Sequence, residues 1–483
     1  MGNCLIKHIF NLGLFILIVL MTFPVISQAQ QLRVYPPTKD LPGKYQNNDF
    51  LVKVRKPGGH WQALYNYKVH VMKVVNGQNQ VEDASMASFD FKGKVEVAVQ
   101  FLRGSIDSAR IRPLSKQIQH QIKGNTLYFS LNQPGNLSVE VNGDIFHNLH
   151  LFANPMEEYV VNKKDTNLIY FGPGLHKLEG GKLMIPSNKT VYVAGGAVIE
   201  GQLLVHNVQN VHILGRGIID PAVKMGVHIA NSQNITVEGI ECTQCATGGS
   251  DSVFINNVKC ISYYGWGDGM NVFASNHVYY NNVFCRTSDD CTTVYATRLG
   301  FVGGCNDIIM KNATLWADVA HPIQIGTHGN VEQPDTLQNI LYDNIDILDH
   351  NEMQIDYQGC MSIDAGDENL VRDVTFKNIR VEDFRCGQLV NLRVFFNKKY
   401  CKAPGRGIRN VLFENINYKG IHAATSIIDG YDNARLVQDI VFKDLVINGQ
   451  KISDDMPGKP KWYKTSDFAH FFVGDHTENI KFK

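Results

Sequence analysis

An excess of charge of either sign is missing from this chain: 46 basic residues face 46 acidic ones, for a formal net charge of +0. That balance leaves no electrostatic footprint for nucleic acid or an anionic membrane, and a neutral partner is the simpler expectation. Long apolar runs are scarce too. The one from Ile9 to Val25 follows Lys7 and His8 and leads into Ser27-Gln28-Ala29, a small-x-small cleavage pattern. It falls short of the ~20 apolar residues of a spanning helix, so residues 1–29 read as an export signal removed on maturation. No later run is long enough to cross a bilayer. The expected product is secreted or periplasmic, with no integral membrane segment after cleavage.

Metal-ligand patterns are equally thin. Of the 10 cysteines, Cys4 leaves with the signal, so nine remain and at least one has no partner within the chain. Cys242 and Cys245 form a CxxC, but no second CxxC or nearby histidine pair completes a zinc set, and no metal or cofactor is expected. Cys260, Cys285, Cys291 and Cys305 recur on successive repeats, where they read as small buried hydrophobes or local disulfides.

Long helical periodicity is absent as well, which excludes a doubly wound sheet with crossover helices. What recurs instead is a short strand opened by a polar residue: Asn210-Val211-His212-Ile213, Asn234-Ile235-Thr236-Val237, Ser252-Val253-Phe254-Ile255, His277-Val278-Tyr279-Tyr280. Units opening at Asp307, Asn339, Asp373, Asn410, Asp439 and Asn479 continue the series at spacings of about 18 to about 40 residues. Such variable spacing fits coils with loops of unequal length better than propeller blades. One strand per unit cannot bury its apolar side alone, and stacking equivalent strands at ~4.8 Å solves this as a right-handed parallel β-helix. The recurring Asn and Asp read as turn residues at the bends.

Residues 30–160 differ. Alternating segments such as Val95–Leu102, Thr126–Leu131 and Leu137–Val141, separated by Gly and Asn turns, predict an antiparallel β-sandwich. The chain is therefore read as a signal (1–29), an N-terminal β-sandwich (30–160) and a parallel β-helix catalytic domain (161–483), an all-β architecture.

Three neighbouring coils carry the chemistry. They hold Gly267-Asp268-Gly269-Met270-Asn271, then Ser288-Asp289-Asp290, then His321-Pro322-Ile323-Gln324-Ile325-Gly326. Stacking in register makes Asp268, Asp289, Asp290 and His321 neighbours. Crowded carboxyls raise at least one pKa, so a protonated acid and an ionised base can coexist, as glycosidic hydrolysis requires. Calcium binding or separate solvated loops are the plainer alternatives.

The order GDG-x-N, SDD, His resembles the polysaccharide-hydrolase clan of the family 28 polygalacturonases and the family 49 dextranases and isopullulanases. The polygalacturonase pattern is similar: NTDG, then (G/Q)DD, then GHG before a Leu-Ser-Ile-Gly-Ser type strand. A sandwich ahead of the helix, and Leu315-Trp316 leading into the coil of His321, resemble the dextranase family in particular. The resemblance implies that Asp289 is the general acid, that Asp268 and Asp290 activate water, that His321 tunes the acid and that the anomeric centre is inverted. Departures bear on the substrate. The stretch matching the family's carboxylate-binding Arg-Ile-Lys is Ser362-Ile363-Asp364, and an acid there would repel galacturonate; Arg393, one coil later, is the alternative cation, with Phe395 at the lysine position. Pro322 in place of Gly after His321 implies an altered orientation of the histidine.

Candidate substrate contacts are Trp266, two residues from Asp268, with Asn271, Gln324, His328, Asp364 and Arg393; aromatic faces stack on sugar rings. Tyr263, Tyr264, Trp316 and Tyr357 also lie near the motifs but individually read as core, and His328 reads equally as a surface loop residue. The expected activity is inverting hydrolysis of a neutral polysaccharide or oligosaccharide such as the α-glucan dextran. The alternatives are a polygalacturonase, a calcium-assisted polysaccharide lyase and a noncatalytic carbohydrate-binding protein.

Overall fold

The computed structural model describes residues 30–35, 41–220 and 225–483, so the export signal lies outside the described residues. Two β systems are present. The first is a sandwich of a six-stranded sheet, containing Tyr67–Val75, Gln78–Lys92, Gly135–Val141 and Asp144–Pro155, and a five-stranded sheet, containing Phe50–Arg55, Val95–Phe101, His120–Lys123 and Thr126–Leu131. Alternation explains the layering. Val52, Val54, Val95, Val97, Val99, Leu127 and Phe129 point inward and meet Phe89, Phe91, Leu137, Val139, Leu149 and Leu151 of the other sheet.

The second system is a 29-stranded sheet that starts at Leu168–Phe171 and winds as parallel coils. Each full coil contributes to three faces. The first face runs through Gln209–Gly215, Gln233–Glu238, Asp251–Asn256, Asn276–Asn281 and Cys305–Lys311. The second runs through Ile218–Ile219, Glu241–Cys242, Lys259–Ile261, Phe284–Thr287 and Thr314–Ala317. The third runs through Val227–Ala230, Cys245–Gly248, Met270–Phe273, Thr292–Tyr295, Ile323–Gly326, Met361–Ala365 and Val390–Val394.

The residues opening the repeat units do one physical job. Asn210, Asn234, Ser252, His277, Asp307, Asn339, Asp373, Asn410, Asp439 and Asn479 all have left-handed backbone, φ 52° to 60°. Asn and Asp tolerate that region because their short polar side chains bond locally. A second set sits between the first and second faces: Asn257, Asn282, Asn312, Asn344, Asn378 and Asn415, φ 53° to 60°. Amides within this set bond from coil to coil, Asn282 Nδ2 donating to Asn257 Oδ1 at 3.0 Å and Asn344 Nδ2 to Asn312 Oδ1 at 2.6 Å.

Inside the coils, equivalent positions stack. Tyr342, Phe376, Phe413, Phe442 and Phe482 form a column with ring centroids 5.8, 4.8, 4.6 and 4.9 Å apart, each contact contributing about 0.5–1.5 kcal/mol beyond area burial. Eight of the nine described cysteines are buried, Cys386 being half-buried, and among the described residues none is in a disulfide. The CxxC sits in this apolar interior, Cys242 Sγ lying 3.8 Å from Cys260 Sγ of the next coil.

The sandwich lies against the second face. Tyr67, Val69, Val71, Met86 and Phe152 pack on Val198, Ile218, Ile261 and Phe284. Paired charges surround this contact. The Arg286 guanidinium, fully buried, donates to Asp318 at 2.8 and 3.2 Å and to Asn148 of the sandwich at 2.8 Å, and stacks 4.0 Å over Trp316. Trp316 is thereby a seam residue, 0% exposed, rather than part of a cleft. With the second face covered, the third is the one whose flanking turns carry the acidic motifs.

Candidate active site

Asp268, Asp289, Asp290 and His321 all stand in turns that lead from the second face into the third, one coil above another. Close stacking of these turns depends on the glycines beside Asp268. A Cβ on Gly267 would sit 2.2 Å from Ser288 Oγ, and one on Gly269 2.6 Å from the Cys291 carbonyl.

Asp290 is the compensated member of the cluster. Its Oδ1 accepts from His321 Nδ1 at 2.7 Å and from the His321 backbone N–H at 3.1 Å, and its Oδ2 accepts from Tyr295 OH at 3.0 Å. The other ring nitrogen, Nε2, lies 2.6 Å from the Tyr357 carbonyl. A carboxylate on one side and a carbonyl on the other are both acceptors, so the ring holds two protons and a positive charge. Burial works against that charge, but the Asp290 carboxylate outweighs it and lifts His321 to about 9. With Pro322 next in the chain, the backbone and the ring of His321 address the same carboxylate.

The other two acids lack such a partner. Burial, then the charge of Asp290, raises the Asp268 carboxyl to about 7, opposed mainly by Asn271 Nδ2 donating to Asp268 Oδ2 at 2.8 Å. Asp289 is pushed well above the ordinary carboxylate range by burial, then by Asp268 and Asp290. The cluster thus sets a carboxyl clamped by an imidazolium beside two acids whose pKa values are raised to neutral pH or above. It can donate a proton and accept one within the same site.

Side chains pointing outward from the third face form the floor. Asn271, Thr293, Gln324, Ser362 and Asn391 pair in register across five coils and are 0% to 7% exposed. Asn271 Oδ1, Thr293 Oγ1, Gln324 Oε1 and Asn391 Oδ1 have no hydrogen-bond partner. Unpaired acceptors in a row are unusual in a folded interior and mark a strip that polar matter can satisfy.

Of the predicted substrate contacts, Trp266 stands at the rim, 80% exposed and with left-handed backbone at φ 56°, a conformation uncommon for a bulky residue. Asn271 holds Asp268. His328 is buried against Tyr295, ring centroids 5.0 Å apart, and burial lowers it to about 4. Gln324 donates to Thr327 at 2.8 Å and to Asp364 at 3.0 Å. Asp364 is enclosed rather than open to direct contact with a substrate: it is 0% exposed and bonded by Gln324 at 3.0 Å and by Ser362 at 2.9 Å, and burial raises it to about 6. Arg393 is also engaged, its Nη1 3.0 Å from Asp356 Oδ1.

Three contributors were not singled out from sequence. Tyr295 was findable, because period-two counting through Thr292–Tyr295 puts it outward beside Thr293. Arg298 is exposed, acts electrostatically on Asp268 and His328, and among the described residues its guanidinium makes no ion pair; the loop that carries it has no repeat signal. Lys399, acting on Asp289, lies in a loop closed by the ring stack of Tyr357, Phe395 and Tyr400. Among the described residues no group of His, Cys, Asp and Glu has a metal-holding arrangement, and no helix is long and apolar enough to cross a membrane.

No curated protein sequence matches the chain. Among solved structures, Dex49A from Penicillium minioluteum superposes with a TM-score of 0.56 at 12% identity, covering 92% of this chain and 98% of that one, a likeness of fold. A family 28 exopolygalacturonase of Yersinia enterocolitica gives 0.40 at 12% identity, with 81% and 96% covered. An endo-xylogalacturonan hydrolase from Aspergillus tubingensis gives 0.39 at 13%, with 58% and 84% covered. The sequence model described as glycosyl hydrolases family 28 matches residues 135–460, which takes in most of the coils and the whole carboxylate cluster. This chain belongs to glycosyl hydrolases family 28.

Proposed function

We propose that the protein is an exported, inverting polysaccharide hydrolase, with a sandwich over residues 30–160 and a catalytic helix over 161–483. Asp289 protonates the leaving oxygen, and Asp268 with Asp290 orients and deprotonates the attacking water. The observation that carries this reading is the asymmetry of the three acids: Asp290 is clamped by His321 and Tyr295, burial and mutual repulsion keep a proton on Asp289, and Asp268, raised to about 7, can give up its proton near neutral pH. His321 places a fixed positive charge against Asp290 and opposes the retention of the Asp289 proton. Trp266 offers an exposed ring to a sugar, and Asn271 and Gln324 belong to the polar floor beneath it.

For the substrate we favour a neutral polymer such as dextran, because Arg393 is occupied by Asp356 and Phe395 stands where the family's carboxylate-binding lysine would be. One observation favours a uronate-bearing polymer instead: Arg298 is exposed near Asp268, with Asp364 enclosed. Reducing-end release on dextran, pullulan, neutral galactans and polygalacturonate, by wild type and Asp289→Asn, decides between them. Activity on dextran that the variant lacks supports the first reading, and activity on polygalacturonate that Arg298→Ala lacks supports the second. Release of the retained anomer in a proton NMR time course would refute inversion.

A further inference from the structure

The five-stranded sheet of the sandwich turns its outer surface away from the helix, because the six-stranded sheet makes the contact with the second face. That outer surface is not plain. A groove of about 1260 Å³ is lined there by Trp61, Tyr128, Arg55, Gln119, Gln121 and Asn132. The rings of Trp61 and Tyr128 lie 6.5 Å apart, tilted by 60°, and the Arg55 guanidinium stacks 4.3 Å from the Trp61 ring while its Nε donates to Glu96 at 2.6 Å. Register explains the pairing. Arg55 lies opposite Glu96, and Tyr128 lies opposite Ala98, whose small side chain leaves the space between the two rows low. Tyr128 is 37% exposed.

The groove continues. A second hollow of about 580 Å³ shares Lys116, Gln133 and Gly135 with it and is lined beyond them by Asn282, Asn312 and Asn344, the amide column at the corner between the first and second faces. An aromatic pair fixed by a paired arginine, followed by a path of amides, fits a polyhydroxylated chain: ring faces meet the C–H faces of sugars, and amides both donate to and accept from hydroxyls. We propose that Trp61 and Tyr128 form a second glycan-binding site, outside the catalytic face, that holds a strand of the polymer the enzyme cleaves. Its ligand class rests on the polysaccharide-hydrolase reading. Tethering polymer at a second point raises its effective concentration at the first.

The test uses the full chain carrying Asp289→Asn, so that polymer is not consumed, in native gels containing dextran, pullulan, neutral galactan or polygalacturonate. The expected result is retardation in at least one gel, weakened about tenfold by Trp61→Ala with Tyr128→Ala and largely kept by Trp61→Phe. In the active background the double variant should raise KM on that polymer several-fold and leave turnover of short oligosaccharides of the same sugar unchanged. Equal retardation with and without the rings, or none in any gel, overturns the site while leaving hydrolysis to stand or fall by its own assay. Ring-dependent retardation without reducing-end release from any polymer would keep this site and remove the hydrolase reading.

Discussion

Two clusters of carboxylates lie on neighbouring parts of the same coils, one at the sandwich seam and one in the turns that lead to the third face, and they are built on contrary principles. At the sandwich seam four acids each meet an arginine: Asp318 and Arg286, Asp349 and Arg385, Glu382 and Arg112, Asp90 and Arg216, while Glu241 lies beside Lys259. In the site, three aspartates share one imidazolium. A compensated buried carboxylate holds two surfaces in place, whereas crowded acids with too few cations hold a proton whose release is ready to be used.

The comparison can be broken from either side. Asp289→Asn should lower kcat by about 10²–10⁴-fold, the usual contribution of a general acid, with the midpoint of thermal unfolding near neutral pH unchanged because a protonated carboxyl and an amide are both neutral. A fall in that midpoint would place Asp289 with the structural acids. Asp318→Ala, which strands the Arg286 charge, should lose about 3–5 kcal/mol in denaturant unfolding while the folded fraction keeps its turnover. His321→Gln should lower kcat about tenfold and move the alkaline limb of the pH–rate profile upward, because a positive charge opposing the Asp289 proton is gone.

Stability against pH sharpens the contrast further. Asp268 is raised in the folded state to about 7, so the stability it contributes is complete below the ordinary carboxylate pKa near 3.8 and is lost as pH climbs to 7. His321, raised to about 9, contributes in full below 6.5 and loses that contribution as pH passes 9. Both slopes run the same way. Buried His328, lowered to about 4, and Lys259, lowered to about 7, contribute with the opposite sign, so the test is a difference: the wild-type unfolding midpoint should fall relative to that of Asp268→Asn between about pH 4 and 7, and a constant difference would remove the raised pKa. The smallest effect expected is Trp266→Ala, a several-fold rise in KM with kcat kept.

What the sequence made readable was whatever repeats. Period-two alternation and the polar openers gave the coils, the sandwich and the stacking of Asp268, Asp289, Asp290 and His321, because register follows from repetition. What it did not make readable lies where the repeat is interrupted. The enclosure of Asp364 depends on Gln324 and Ser362 closing on it from two coils, and Arg298 and Lys399 sit on loops without a period. Trp316 lies near the third motif but reads singly as core, and strand parity turns it into the sandwich seam.

The asparagine column between the first and second faces has one more consequence. Between Asn256 and Lys259, Asn281 and Phe284, and Lys311 and Thr314 the chain spends only two residues on the corner, coil after coil. Every length change is therefore displaced to the two corners that border the third face, where 11 residues (350–360) separate Asp349 from Met361 and 12 (395–406) separate Val394 from Gly407. One edge keeps the pitch, and the other two are free to drift. In an evolving lineage such a frame behaves like a loom with a fixed selvedge: the walls of the trough can be rewoven for another polymer while the carboxylates keep their places.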